Sequence, residues 1–221
     1  MKKLLLSVVF SVLYILPTSA DMGVNVGVSA QAGLFAASAH EKHTNTAGKT
    51  NAGTEHGSAG WGSIFIEKTI GDVMLVGIDY VPQALETDTT ETAKSDKRTA
   101  ASDAISASTN KIQIDFENLT TVYLGARLGE NFYAKAGRVS VEVMTNESLG
   151  TGGSYGNADI DGSMVGVGYN HTTDNGAFVR VEGNYMSFDG TTVTNAEDAE
   201  KQIKLKNLDG VTAKISIGKS F

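Results

Sequence analysis

No cysteine occurs anywhere in the 221 residues. That excludes a disulfide framework, thiolate metal ligation and cysteine nucleophiles. Only two prolines are present, so rigid proline-rich linkers are absent as well. Basic clusters are missing too: the longest basic run is Lys97-Arg98, flanked by Asp96 and Asp103. The formal charge is −7, and residues 1 to 20 contribute Lys2 and Lys3 and no acid, so the remainder carries −9. Such a chain has no field to attract nucleic-acid phosphates, and no nucleic-acid partner is expected. Past residue 20 no run of 18 apolar residues appears, which excludes a bundle of membrane helices.

What the chain has in abundance is glycine, 25 residues, together with Thr, Ser, Asn and Asp between apolar stretches. This composition suits many strands joined by turns. The first segment stands apart. Lys2 and Lys3 precede a nearly continuous apolar stretch from Leu4 to Leu16, and Pro17-Thr18-Ser19-Ala20 supplies small residues before Asp21. We read residues 1–20 as a secretory signal peptide cleaved after Ala20, and 21–221 as one domain. At about 13 residues the apolar stretch is short for a transmembrane anchor. With no cysteine after it, a lipoprotein is excluded.

Alternation of period two dominates the rest. Val24, Val26, Val28, Ala30, Ala32 and Leu34 share one face, against Asn25, Gly27, Ser29, Gln31 and Gly33. Ala177, Val179, Val181 and Tyr185 oppose Phe178, Arg180, Glu182, Asn184 and Met186; Val211, Ala213, Ile215, Ile217 and Phe221 oppose Thr212, Lys214, Ser216 and Gly218. Between them, Ile112, Ile114, Phe116, Val122, Leu124, Ala126 and Leu128 are assigned to a single face of one long strand. Further strands are expected near 60–70, 73–82, 132–144 and 162–171. In 132–144 the apolar parity shifts from Ala134 and Ala136 to Val139, Val141 and Val143, which predicts a bulge around Gly137-Arg138. For 60–70 either Trp61 and Phe65 or Ile64 and Ile66 face outward.

Three connections are tight and rich in Gly, Asn and Asp: 70–72, 129–131 and 172–176. Four, near 40–59, 83–109, 145–161 and 189–202, are long and polar and are expected to be mobile. They alternate strictly, long and short. That asymmetry matches short periplasmic turns and long external loops. The expected fold is all-β: a closed eight-stranded antiparallel up-and-down transmembrane β-barrel. A soluble eight-stranded barrel would share the alternation with its apolar face turned inward. A polar face mixing charges with small residues favours the membrane version, as do aromatics near strand ends: Phe132, Tyr133, Tyr169 and Phe221 on one side, Tyr80 and Tyr185 on the other.

The final strand, with Ala213, Ile215, Ile217 and a terminal Phe221, resembles the C-terminal assembly signal of outer-membrane barrels. Lys219 stands where an apolar or aromatic residue is common. Phe178-Val179-Arg180-Val181-Glu182-Gly183-Asn184-Tyr185 and Tyr133-Ala134-Lys135-Ala136-Gly137 are similar to strands of the OmpA/OmpX-like small barrels. The resemblance implies a monomeric, barrel-only protein of the bacterial outer membrane. Its partners would be outer-membrane lipid and lipopolysaccharide, the barrel-assembly machinery, and surface ligands met by the external loops. Adhesion is the role it suggests. A small channel for ions or polar solutes is the alternative.

An eight-stranded bore is filled by side chains. Glu117, Arg127, Lys135, Arg138, Arg180 and Glu182 are the candidates for a structural network of paired charges inside it. No catalytic, cofactor or metal site is assigned. His40, His43 and His56 fall in the first long connection and His171 beside a turn; Ser38, His40 and Glu41 are neighbours without a triad pattern. Gly23 to Gly27 and Gly166 to Gly168 open no helix, so they are not phosphate loops. The acids Glu86, Asp88, Glu91 and Asp96, and Glu197, Asp198 and Glu200, either bind divalent cations near the lipopolysaccharide layer or keep external segments solvated.

Overall fold

The computed structural model describes residues 23–42, 50–97 and 105–221. The expected signal peptide, His43 and Gly48 lie outside these residues. Eleven strands form one antiparallel sheet: β1 (Val24–Lys42), β2 (Thr50–Ile70), β3 (Met74–Tyr80), β4 (Leu85–Glu86), β5 (Thr90–Lys97), β6 (Ile105–Leu128), β7 (Phe132–Leu149), β8 (Ala158–Thr172), β9 (Ala177–Phe188), β10 (Thr191–Thr194) and β11 (Gln202–Ser220). Neighbours pair in the order β1-β2-β3-β6-β7-β8-β9-β11, and β11 returns to pair with β1. The result is a closed ring of eight. β4 and β5 continue the β3 stave along β6, and β10 continues β9 along β11. The expected fold class is the observed one.

Register fixes the shape. A path of hydrogen-bonded partners leaves β1 at Leu34, passes Val211, Tyr185, Val165, Ala136, Leu124, Val76 and Lys68, and returns to β1 at Val24, ten residues lower. A stagger of ten residues over eight strands spaced about 4.8 Å apart tilts the strands by about 40°. At that tilt the outward residues from Val24 to Leu34 rise about 25 Å, the height of the apolar band on a transmembrane barrel.

The facing is inverted relative to a soluble barrel. Leu34 (65%), Val167 (63%) and Phe132 (61%) are exposed outside, while Glu67 (1%) and Glu182 (4%) are buried inside. Phe132 and Tyr169 meet edge to face at 5.2 Å near the turn end of the belt, and Tyr185 marks the opposite end. Tyr133 departs from the expected girdle, because it points into the barrel and is buried. On β2 the ambiguity resolves towards Ile64 and Ile66 outward, with Trp61 and Phe65 inward. The tight turns hold glycines in the left-handed region, Gly71 (φ 60), Gly129 (φ 87) and Gly176 (φ 83), as such turns require.

The predicted bulge lies on a different strand. β7 pairs with β8 without interruption from Phe132 to Val143 and keeps one parity, so Ala134, Ala136 and Arg138 face out while Val139 and Val141 face in. The apolar shift in β7 marks a change in what fills the bore, not a change of face. The irregularity sits across the ladder in β6, between Glu117 and Thr120, where Asn118 adopts φ 55 and Leu119 turns inward. Ile112, Ile114 and Phe116 are therefore not on the face of Val122 and Leu124. Phe116 pairs with Val143, and both pack against the apolar interior.

Much of the polar sequence expected to be mobile loop is strand. β1, β2, β6 and β7 extend outward as a protruding sheet, because alternating Thr, Ser, Asn and Gly can pair across a ladder as aliphatics do. Ser38 bonds Thr54 at 3.1 Å, Lys111 pairs with Glu91 at 2.6 Å, and Asn146 donates to Asp115 at 2.6 Å. The connections after β7 and β10 are tied together: Asn195 donates to the Gly152 carbonyl at 3.2 Å and Lys201 to that of Thr151 at 3.1 Å.

Because the chain has no cysteine, a single introduced thiol reports facing cleanly. We expect Phe116→Cys to resist a water-soluble maleimide in the folded barrel and to become reactive when Asn118 is deleted. Equal labelling of both proteins would disprove the placement of the bulge.

Candidate functional site: the filled bore

Two layers occupy the interior. Nearest the tight turns lies a charged layer built from β2, β3, β7, β9 and β11. Period two delivers one inward side chain at every second residue, so a bore this narrow brings groups from opposite staves within bonding distance. Arg180 on β9 donates to Glu67 on β2 at 2.6 Å and to Asn170 on β8 at 2.8 Å. Glu67 also accepts from Tyr123 at 2.8 Å and Asn25 at 3.2 Å. Lys135 on β7 donates to Glu182 at 2.9 Å, and Tyr133 donates to the same carboxylate. Lys214 on β11 pairs with Asp79 and stands 3.7 Å from Glu182.

Three acids meet three bases, so the layer is formally neutral. Neutrality matters because an unmatched ion in such a setting is costly. Aromatic faces complete the solvation of the cations: Arg180 lies 4.6 Å from the Phe178 ring centroid, and Lys135 lies 4.8 Å from that of Tyr123. Two glycines make the room. A β-carbon on Gly77 would stand 2.6 Å from the Tyr123 ring, and one on Gly168 would overlap the Tyr133 ring.

Outward of the charges, past a shelf of Ser29, Ser63, Gln31, Asn184 and Thr212, the bore turns apolar. Trp61, Val81, Leu119, Val139, Val141, Ile160, Met164, Met186 and Phe188 pack together, with Phe35, Phe116 and Val143 against them. This plug explains why β7 carries valines inward.

Of the six residues expected in the network, the structure brings three together: Lys135, Arg180 and Glu182. The other three stand elsewhere. Arg138 faces outward and lies 3.8 Å from Asp189, with both side chains exposed. Glu117 sits beyond the β6 bulge, opposite Glu142, whose parity is outward. Arg127 keeps the inward parity but lies exposed at the turn end of the barrel. Glu67, Asp79 and Lys214 complete the layer and were missed. Glu67 and Asp79 lie on strands whose facing the sequence left open or uneven, whereas Lys214 stands on the inward face of a cleanly alternating strand and was legible. Ala213, Ile215 and Ile217 face outward on β11, and Phe221, one residue past its end, is exposed.

Three of the four histidine candidates fall within the described residues. His40 and His56 lie on the external part of β1 and β2, and His171 lies at the far end of β8. The Ser38 hydroxyl is engaged with Thr54. Among the described residues no group of three His, Asp or Glu is placed to hold a metal.

Glu182→Gln removes the carboxylate shared by Lys135, Tyr133 and Lys214. We expect a loss of about 3–5 kcal/mol in urea unfolding, the usual cost of breaking a buried pair. Adding Lys135→Met should restore part of it, since the orphaned ammonium goes too. Additive losses in the double variant would contradict the coupling.

No family model matches the chain, and no curated protein sequence does. Similar solved structures include small outer-membrane proteins. One is Ail, the attachment invasion locus protein of Yersinia pestis, in complex with the heparin analogue sucrose octasulfate (9% identity, 88% of this chain and 99% of that one, TM-score 0.41). A second is OprG from Pseudomonas aeruginosa (13%, 88% and 96%, TM-score 0.48). A third is the Neisserial surface protein A (15%, 88% and 97%, TM-score 0.39). The chain, by its own strand pairing, has the eight-stranded architecture of the OmpA/OmpX-like small barrels that its sequence resembles.

Proposed function

We propose that the protein is a non-catalytic barrel of the bacterial outer membrane that acts through its external sheet, in surface interaction, and conducts nothing through its bore. The carrying observation is the filled interior: a neutral charged layer backed by an apolar plug. The outward-facing apolar belt supports membrane residence, because a closed ring satisfies its backbone internally where lipid offers no hydrogen bonds. Ala213, Ile215, Ile217 and Phe221 present an alternating apolar face suited to recognition by barrel-assembly machinery.

The external sheet offers a second supporting feature. β2 pairs with β3 only between Ile64 and Ile70, and β4 and β5 pair with β6. Pro82, which has no N–H, follows the last β3 pair and suits the end of that ladder. From Ser63 outward, β2 has no strand partner on that side among the described residues. An unpaired edge accepts an extended chain, which fits a role in adhesion.

Planar-bilayer recording separates this reading from the channel alternative. We expect no steady conductance steps from the refolded protein. Reproducible, protein-dependent steps would overturn the filled-bore reading in favour of a small pore.

A further inference from the structure

The outer face of the barrel is not uniform. Across β11, β1 and β2, a groove of about 580 Å³ is lined by Ala32, Leu34, Ser58, Gly60, Val211 and Ala213. Register explains the hollow. Ala32 stands between Gly60 on β2 and Ala213 on β11, and Ala30 faces Gly62. The rims are aliphatic, with Leu34, Val211, Ile64 and Ile215 exposed.

The barrel's own packing does not demand this hollow. A β-carbon on Gly60 or Gly62 would meet only a β1 backbone oxygen, at 3.6 Å. By contrast, the inward Gly27 and Gly77 are held by aromatic rings that a β-carbon would strike. Gly60 and Gly62 leave space outside the molecule, at the external end of the belt.

Charge points to the occupant. On the same outward parity, immediately beyond the groove, stand His56 opposite Ala36, Thr54 opposite Ser38, and His40 opposite Lys204. The one acid among them, Asp209, is engaged by Tyr185 at 3.0 Å and Asn207 at 2.8 Å. The sector across the barrel is acidic, with Glu142, Asp159, Asp161 and Asp189 on outward positions around Arg138. Lys204 and the imidazole and hydroxyl donors of His40, His56, Ser38 and Thr54 stand above this groove, with Glu41 and Glu55 on the opposite parity.

We infer that this groove seats an acyl chain of an anionic, phosphate-bearing lipid of the outer leaflet, its headgroup turned towards His56, Ser38, Thr54 and Lys204. The site rests on the reading that the barrel lies in a membrane. The acyl chain fills the hollow left by Gly60 and Gly62, and the headgroup meets donors and positive charge where the rest of the rim would repel it.

The single tryptophan, Trp61, sits on β2 between those two glycines with its indole buried in the bore, one backbone layer behind the groove, so short-range quenching by bromine reports an acyl chain seated against Gly60 and Gly62. The full chain is refolded into phosphatidylcholine vesicles that contain a minor fraction of either acyl-brominated phosphatidylglycerol or acyl-brominated phosphatidylcholine. We expect the anionic probe to quench Trp61 roughly twofold more at equal fraction, as local basic groups enrich anionic lipid. Gly60→Leu should abolish the preference while the unboiled protein keeps its compact gel mobility. His56→Gln with Lys204→Gln should reduce the preference and leave quenching by the zwitterionic probe unchanged. Equal quenching by both probes in the native chain, or a preference that survives Gly60→Leu, overturns the site. A dimer in sedimentation that Gly60→Leu dissolves assigns the groove to a second copy and equally overturns it. A chain that stays outside the vesicles, quenched by neither probe, sinks the membrane reading itself.

Discussion

Pairing of β1 with β11 closes the ring, and the remaining features follow from that closure. An open sheet in lipid would leave two rows of backbone groups without partners, each costing several kcal/mol. Once the ring is closed with eight strands and a ten-residue stagger, the bore is just wide enough for side chains. Every inward residue is then forced into contact with others from across the barrel. Charges can occupy such a space only as a matched set, which is why Glu67, Asp79 and Glu182 meet Lys135, Arg180 and Lys214.

The same constraint divides labour along the axis. Towards the turns, ion pairs and tyrosines cross-link staves that are distant in sequence, as Arg180 and Glu67 do. Towards the outside, valine, methionine and aromatic side chains close the bore. At the level of the plug β2 separates from the β3 stave past Ile64, and the bulge at Asn118 and Leu119 turns Phe116 against the apolar interior.

The outer face follows a different logic. Lipid tails provide no hydrophobic drive to fill a hollow, so small residues persist there wherever nothing selects against them. The Gly60 and Gly62 positions show this freedom, while inner glycines such as Gly77 are set by the ring they accommodate. One barrel can therefore carry glycines for two unrelated physical reasons, and only the surroundings tell them apart.

The sequence by itself determined the class, the number of staves and the facing of β1, β9 and β11, while in β6 the clean alternation concealed a bulge. Period two has only two outcomes per residue, and tight turns rich in Gly and Asn mark each reversal. It also carried half of the charged layer: Arg180 and Glu182 lie on a cleanly alternating strand, and Lys135 precedes the point where the pattern in β7 shifts. The tertiary structure decided what depends on a partner strand. Parity within β7 was misread because an inward valine in a plug looks the same as an outward valine in lipid. The β6 bulge became visible only against the unbroken β7 ladder beside it. The protruding sheet emerged where Thr, Ser and Asn read as loop in isolation but pair when a neighbour supplies the complementary edge. Glu67 and Arg180, 113 residues apart, became one interaction because closure, not sequence, sets which side chains share the bore.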